Sequence, residues 1–165
     1  MSGVDVAGSM KAMRQHFIAV AAIGVLGLAA APAAAADPPV GADDIDRYPI
    51  AQGHYSSPTD FYGVFFKTPD GRACGIGPNG GPVGCDAVPI DAPPGMNQTV
   101  VNSGVAATYR FSDHPSFTRD VDVLPEGHRL ENWGASCGVG YQGTVTCKTY
   151  GRHGFILSAG YGVLW

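Results

Sequence analysis

The four cysteines fall into two copies of one pattern. The first copy runs Cys74-Gly75-Ile76-Gly77-Pro78-Asn79-Gly80-Gly81-Pro82-Val83-Gly84-Cys85. The second runs Cys137-Gly138-Val139-Gly140-Tyr141-Gln142-Gly143-Thr144-Val145-Thr146-Cys147. Each reads Cys-Gly-(Ile/Val)-Gly-x-x-Gly and closes on Val-x-Cys. So much glycine disfavours a helix and suits a tight hairpin tip. Residues opposed on antiparallel strands have Cα atoms about 4.5 to 5.5 Å apart, which suits a disulfide. Each copy is therefore expected to be a β-hairpin closed by its own bridge, Cys74–Cys85 and Cys137–Cys147. Bridges between the two copies are the alternative, because repeats can face each other across a symmetric core. A local bridge closing about a dozen residues contributes up to ~3 kcal/mol in the chain-entropy model.

The same glycines match Gly-x-Gly-x-x-Gly, at Gly75, Gly77, Gly80 and at Gly138, Gly140, Gly143. In a dinucleotide-binding fold this pattern leads from a strand into a helix whose N-terminus holds the pyrophosphate. Here a cysteine-bearing strand follows, so a bracing hairpin fits better than a nucleotide site. The cysteine spacings are wider than the Cys-x2–4-Cys of zinc sites, and no histidine is in register with them. No cofactor or metal is expected.

Residues 1–36 have the layout of a secretory signal peptide. Lys11 and Arg14 supply the positive end, Phe17 to Ala31 the apolar run, and Ala34-Ala35-Ala36 a small-residue cleavage site before Asp37. The run is shorter than the ~20 residues a membrane span needs, so no stable membrane anchor is expected after cleavage. Met10 and Met13 compete with Met1 as the true start. Four cysteines, none left over, agree with an oxidising destination. Export to the cell exterior or cell wall is the expected localisation.

The formal net charge is −4, and removing Lys11, Arg14 and Asp5 leaves the rest more acidic still. Lys67 and Lys148 are the only other lysines. Such a chain offers no basic face for nucleic acid or an anionic membrane.

From Asp37 onward the chain has room for one domain. Residues 37–60 read as an extended leader with one short helical turn between Asp43 and Pro49. Residues 61–165 read as a single β domain. Phe61 to Lys67 is aromatic and β-branched and predicts a strand. Thr68-Pro69-Asp70-Gly71 is a turn. Arg72 to Ile76 and Val83 to Val88 then complete a three-stranded meander. Pro89 to Gly95 breaks the pattern and divides the domain into halves, 61–95 and 96–165. Val105 to Phe111 alternates most cleanly with a period of two. Val145 to Tyr150, Phe155 to Ser158 and Tyr161 to Trp165 predict further strands. No amphipathic run of helical period exceeds two turns. The fold class is all-β, a small disulfide-braced sandwich or partly open barrel with two pseudo-repeated hairpins.

Catalytic patterns are weak. His54, His114, His128 and His153 fall in loops or at strand starts. Asp113 and His114 are adjacent, so they point apart on an extended chain and do not build a triad. No Gly-x-Ser-x-Gly or His-Glu-x-x-His occurs. The carboxylate pairs Asp43/Asp44, Asp120/Asp122 and Glu126/Glu131 have nothing nearby to split their pKa values for acid–base work. Asn97-Gln98-Thr99 is an N-glycosylation acceptor only in a host that glycosylates. The hairpin tips are the best candidates for contact with a partner, at Pro78 and Asn79 and at Tyr141 and Gln142.

An alanine-rich export signal precedes a mature start at Asp-Pro-Pro. Phe66 to Cys74 reads Phe-x-x-Pro-Asp-Gly-x-x-Cys, and Gly151 to Ser158 reads Gly-x-His-Gly-Phe-x-x-Ser. In combination these resemble small exported proteins of mycobacteria and related actinobacteria, a family of unknown function. The resemblance covers about Phe61 to Trp165. It implies export, the cell envelope and disulfides, and no catalytic residue. Members often carry Ser-Gly-Asn where this chain has Asp70-Gly71-Arg72. The expectation is a non-enzymatic module that binds a protein or glycan in the envelope or outside the cell. A secreted hydrolase using His114 or His153 is an alternative. A secreted inhibitor or host-directed ligand presenting a braced loop is another.

Overall fold

In the computed structural model, which describes Gly3, residues 37–56 and residues 58–165, ten short strands form two antiparallel sheets. Apart from Gly3, the expected signal peptide lies outside the described residues. The first sheet holds β1 (Val64–Lys67), β2 (Ala73–Ile76), β3 (Val83–Cys85), β4 (Gln98–Asn102) and β5 (Val105–Arg110). The second holds β6 (His128–Asn132), β7 (Ala135–Val139), β8 (Val145–Lys148), β9 (Gly154–Leu157) and β10 (Gly162–Leu164). Within each sheet every strand pairs with its predecessor in sequence. The sheets pack face to face, with β1 over β6, β2 over β7, β4 over β9 and β5 over β10. The fold is thus an all-β sandwich, and the described residues from 37 to 165 belong to one compact unit.

Register explains the Cys-Gly pattern. Cys74 lies opposite Cys85, and Cys137 lies opposite Cys147. Both pairs are bonded, with Cα atoms 4.0 and 4.1 Å apart, so no bridge joins the two copies. All four cysteines point inward and are fully buried with Phe66, Ile76, Leu124, Phe155 and Leu157 in one core. The period of two then turns the residue after each first cysteine outward. In the first sheet that outward row is Phe65, Gly75, Gly84, Val100 and Thr108. In the second it is Arg129, Gly138, Thr146, Ile156 and Val163.

Irregular chain pairs with one edge of each sheet, which hinders strand addition there. Lys67 at the β1 edge forms a parallel bridge to Val123, and Arg129 at the β6 edge one to Ile50. On the opposite side the Trp165 carbonyl accepts from the backbone N–H of both Ala107 and Gly154. The terminal Trp165 is docked in the core.

Several expected boundaries are corrected. The first strand begins at Val64, not Phe61. Phe61 and Tyr62 have φ of 25° and 65°, which no strand tolerates. The third strand ends at Cys85, because Asp86 turns its carboxylate to another segment. Pro89–Gly95 does not divide the halves. It links β3 to β4 within the first sheet, and residues 111–127 cross between the sheets instead. The expected leader is also part of the fold. Ala42, Ile45, Ala51 and Tyr55 are buried, and Asp44–Arg47 forms one 3₁₀ turn. The cleanly alternating Val105 to Arg110 is the most exposed strand of the first sheet. Only Ala107 and Tyr109 are half-buried there, because β5 lies at the sheet edge.

Candidate functional site

The outer faces of the two sheets end up unequal. The first is roofed by the 111–127 crossover, whose Phe117 and Val121 cluster with Phe65 and Val100. The roof fits because the outward row carries glycine. A Cβ at Gly75 would run into the Phe65 ring, and one at Gly84 would strike Phe117. Asp86 pins the crossover. Its carboxylate accepts the backbone N–H of Ser116, Phe117 and Thr118, each at 2.8 Å, together with the Thr118 hydroxyl and the Gln98 amide. Arg119 lies 4.4 Å above the Phe65 ring and pairs with Asp60 at 2.6 Å.

The second outer face is only half covered. The Asp44–Arg47 turn lies across its middle, with Ile45 2.8 Å from where a Gly138 Cβ would sit and Tyr48 beside it. Lys148 fastens the turn from below, reaching Asp43 at 2.7 Å and Asp46 at 2.6 Å. The Lys148 hydrogen bond and charge hold the Asp43 carboxyl below its usual range. Partial burial would lower the Lys148 pKa, but hydrogen bonds and charge from Asp43 and Asp46 outweigh it and raise the value. Arg129 adds a 2.7 Å hydrogen bond from Nε to the Tyr48 carbonyl.

Beyond this turn the buried Thr146 and the half-buried Ile156 form the floor of a depression. It forms a groove of about 540 Å³ walled by Tyr48, Tyr141 and Tyr161. That size falls within the ~300–1,000 Å³ of small-ligand sites. Asp44, Gln142 and Ser158 add polar groups along the rim. Tyr141 is 79% exposed, so its ring is available to a ligand. The wall that carries it is fixed from the other sheet. Arg72 donates from Nη2 to the Gly143 carbonyl at 2.6 Å and from Nη1 to the Leu157 carbonyl at 3.1 Å. Arg72 is itself paired with Asp70 at 2.9 Å. Burial raises the Asp70 pKa, but hydrogen bonds from Arg72 and Thr68 and the Arg72 charge outweigh it and lower the value. Glu126 accepts the Gly143 N–H at 2.9 Å and completes the brace.

The expected tips part company. Tyr141 and Gln142 stand at the mouth of the groove, at the tip between β7 and β8. Pro78 and Asn79 belong to the tip between β2 and β3, where Gly80 packs against Tyr150 and Ser103. The two tips lie at opposite ends of the sandwich, because β2 and β7 face each other while running in opposite directions. Tyr48 and Tyr161 were not singled out in sequence. Pro49 marks only the end of a short turn and Tyr161 the start of an apolar strand, and nothing local places either ring at a groove.

Among the described residues no histidine ring bonds to a carboxylate or a hydroxyl. His128 Nδ1 meets the Glu126 backbone carbonyl at 3.1 Å, and His153 Nδ1 is buried without a partner. His114 is exposed and meets Gln98 and Ser112 only through its backbone carbonyl. No three metal-ligating side chains gather among the described residues, and no helix there is long and apolar enough to cross a membrane. The two buried disulfides fit an oxidising, extracellular type of environment. No protein-family model, curated protein or solved structure matches the chain, so its function is read from these residues.

Proposed function

We propose that this is an exported binding module of the cell envelope or cell exterior, and that it engages its partner through the open groove of the second sheet. One observation carries the reading. The same outward row that is sealed under Phe117 in the first sheet is only partly covered in the second, with tyrosines standing around its uncovered end. Leaving the Tyr141 and Tyr161 rings, 79% and 52% exposed, in water is unfavourable unless something covers them. Tyrosines favour contact of this kind, because each offers a wide apolar face and a hydroxyl at low conformational cost. Export rests on the residues 1–36 pattern and the disulfides.

The test is retention of the purified protein on isolated cell envelope. Tyr141→Ala is expected to lower retention, and Asn79→Ala, at the opposite end, to leave it unchanged. Equal retention of all three proteins would overturn the reading. So would a hydrolytic activity abolished by His114→Ala or His153→Ala.

A further inference from the structure

The Asp44–Arg47 turn has a second cleft on its other side. Asp46, Glu131, Asn132, Trp133 and Ser136 line about 480 Å³ there. Trp133 is 52% exposed, and it extends into a wider aromatic surface. Its ring meets Tyr62 edge-on at 6.3 Å, and Tyr62 meets Phe61 edge-on at 4.8 Å. Phe61 is 79% exposed and Tyr62 67%.

All three rings stand on backbone that bulky side chains avoid. Trp133 has φ of 49° and occupies, with Gly134 at 77°, the two-residue turn between β6 and β7. Asn-Gly is the favoured pair in such a turn. Phe61 and Tyr62 follow each other at φ of 25° and 65°. Three exposed aromatics in unfavourable conformations are not explained by stability, and strain of this kind gathers at binding sites. The surface is also held in place. Asn132 donates from Nδ2 to the Tyr62 carbonyl at 2.7 Å and to the Ile76 carbonyl at 3.1 Å. Arg119 fixes Asp60, next to Phe61, at 2.6 Å.

The charges select the ligand. Asp46 spends Oδ2 on Lys148, and Glu131 spends Oε1 on Arg129. Lys148 is shared between Asp46 and Asp43, while Arg129 balances Glu131, so the group keeps one net negative charge, which disfavours an anion. The other oxygens, Asp46 Oδ1 and Glu131 Oε2, accept no hydrogen bond from any described residue. A cleft with spare carboxylate acceptors, no cation left unpaired to hold an anion and a tryptophan ring suits a ligand that brings hydroxyl donors and an apolar C–H face. We propose that this cleft binds a neutral saccharide, stacked on Trp133 and hydrogen-bonded to Asp46 and Glu131, with Tyr62 and Phe61 extending the platform. The site is separate from the Tyr141 groove.

The chain has two tryptophans, and Trp165 is 2% exposed, so Trp133 alone reports from the surface. Acrylamide quenching of the purified protein is measured with cellohexaose, mannohexaose or chitohexaose. At least one sugar is expected to cut the quenching constant about twofold, a readily saturated site at millimolar sugar. Titration calorimetry with that sugar should show binding weakened about tenfold or more by Trp133→Ala, the scale of one lost aromatic contact. Trp133→Phe, which keeps a ring, should retain most of the binding, and Tyr141→Ala should leave it intact. Protection by none of the three sugars overturns the proposal, as does wild-type affinity in Trp133→Ala. So does quenching that falls with protein concentration in the absence of sugar, which would make the surface a contact between copies of this chain. Loss of sugar binding in Tyr141→Ala with Trp133→Ala unaffected would assign the sugar to the groove and overturn it too.

Discussion

The Arg72 guanidinium reaches from the first sheet to the Gly143 carbonyl of the second, 2.6 Å away. It fixes the tip that presents Tyr141 and Gln142. The same side chain satisfies the Leu157 carbonyl. Arg72→Ala would leave both carbonyls, on buried residues, without this donor. The expected loss is about 1–3 kcal/mol in urea unfolding, the cost of stranding buried acceptors. Arg72→Lys should recover only part of it, since an ammonium cannot span both acceptors and Asp70 with one planar fork. Envelope retention should fall in parallel if the tip forms the groove wall.

Acid should weaken the same brace. The Asp70 carboxyl is held below its ordinary value of 3.8 in the folded protein. Its contribution is complete above 3.8 and disappears as pH falls through the lowered folded value. Asp43, also lowered, loses its contribution in the same direction. Lys148 behaves oppositely. Its raised folded pKa means its contribution is complete below 10.5 and disappears as pH climbs past the folded value. Urea midpoints are expected to drop between pH 5 and pH 2, about the carboxylate range, and Asp70→Asn should flatten part of that drop. An unchanged slope in Asp70→Asn would contradict this assignment.

Gly138 provides the space under the Asp44–Arg47 turn. A Cβ there would sit 2.8 Å from Ile45. Gly138→Val is expected to push the turn outward and cost about 1–3 kcal/mol, the usual penalty of overpacking. Faster hydrogen exchange at Tyr48 N–H, which bonds to the Ile45 carbonyl at 3.0 Å, would locate the damage. Gly104→Ala is the control. Its nearest neighbour is 3.7 Å away, so the change in stability should stay within about 0.5 kcal/mol.

The disulfides should contribute separately. Non-reducing peptide mapping is expected to yield one peptide pair joining Cys74 to Cys85 and another joining Cys137 to Cys147. Replacing either pair by serine should cost about 2–5 kcal/mol, the range for native bridges in small exported domains. The bridges close loops of similar length, with sequence separations of 11 and 10. The entropic part of the two losses should therefore be nearly equal. A much larger loss for one pair would point to packing in the core rather than loop closure.

Much of this was legible along the chain. Cys-Gly followed by a glycine-rich tip and Val-x-Cys specifies a hairpin, and a hairpin leaves its flanking cysteines opposed. Short β-branched and aromatic runs between turn residues marked most strands to within a few positions. The misreadings have physical causes. Phe61 and Tyr62 have strand propensity, but the chain turns there under the Asn132 and Arg119 contacts. Pro89–Gly95 looks like a domain break, yet β4 returns beside β3. Trp133-Gly134 has the two-residue spacing of a hairpin turn, a usable sign that the tryptophan's bulk obscured.

The sequence by itself determined the local chemistry: all-β class, paired cysteines, few charges, and which residues alternate across each strand. These follow from period-two geometry and turn propensities, which act over a few residues. Only the tertiary structure decided which outward face would be covered. The same row of residues is roofed in one sheet by a crossover 31 to 32 positions beyond Asp86, whose carboxylate anchors it. In the other it is covered only in part, by the Asp44–Arg47 turn, and leaves a groove walled by Tyr48, Tyr141 and Tyr161. Burial is a property of segments brought together from distant parts of the chain, so the groove and the Trp133 cleft exist only once both sheets and their crossings are in place.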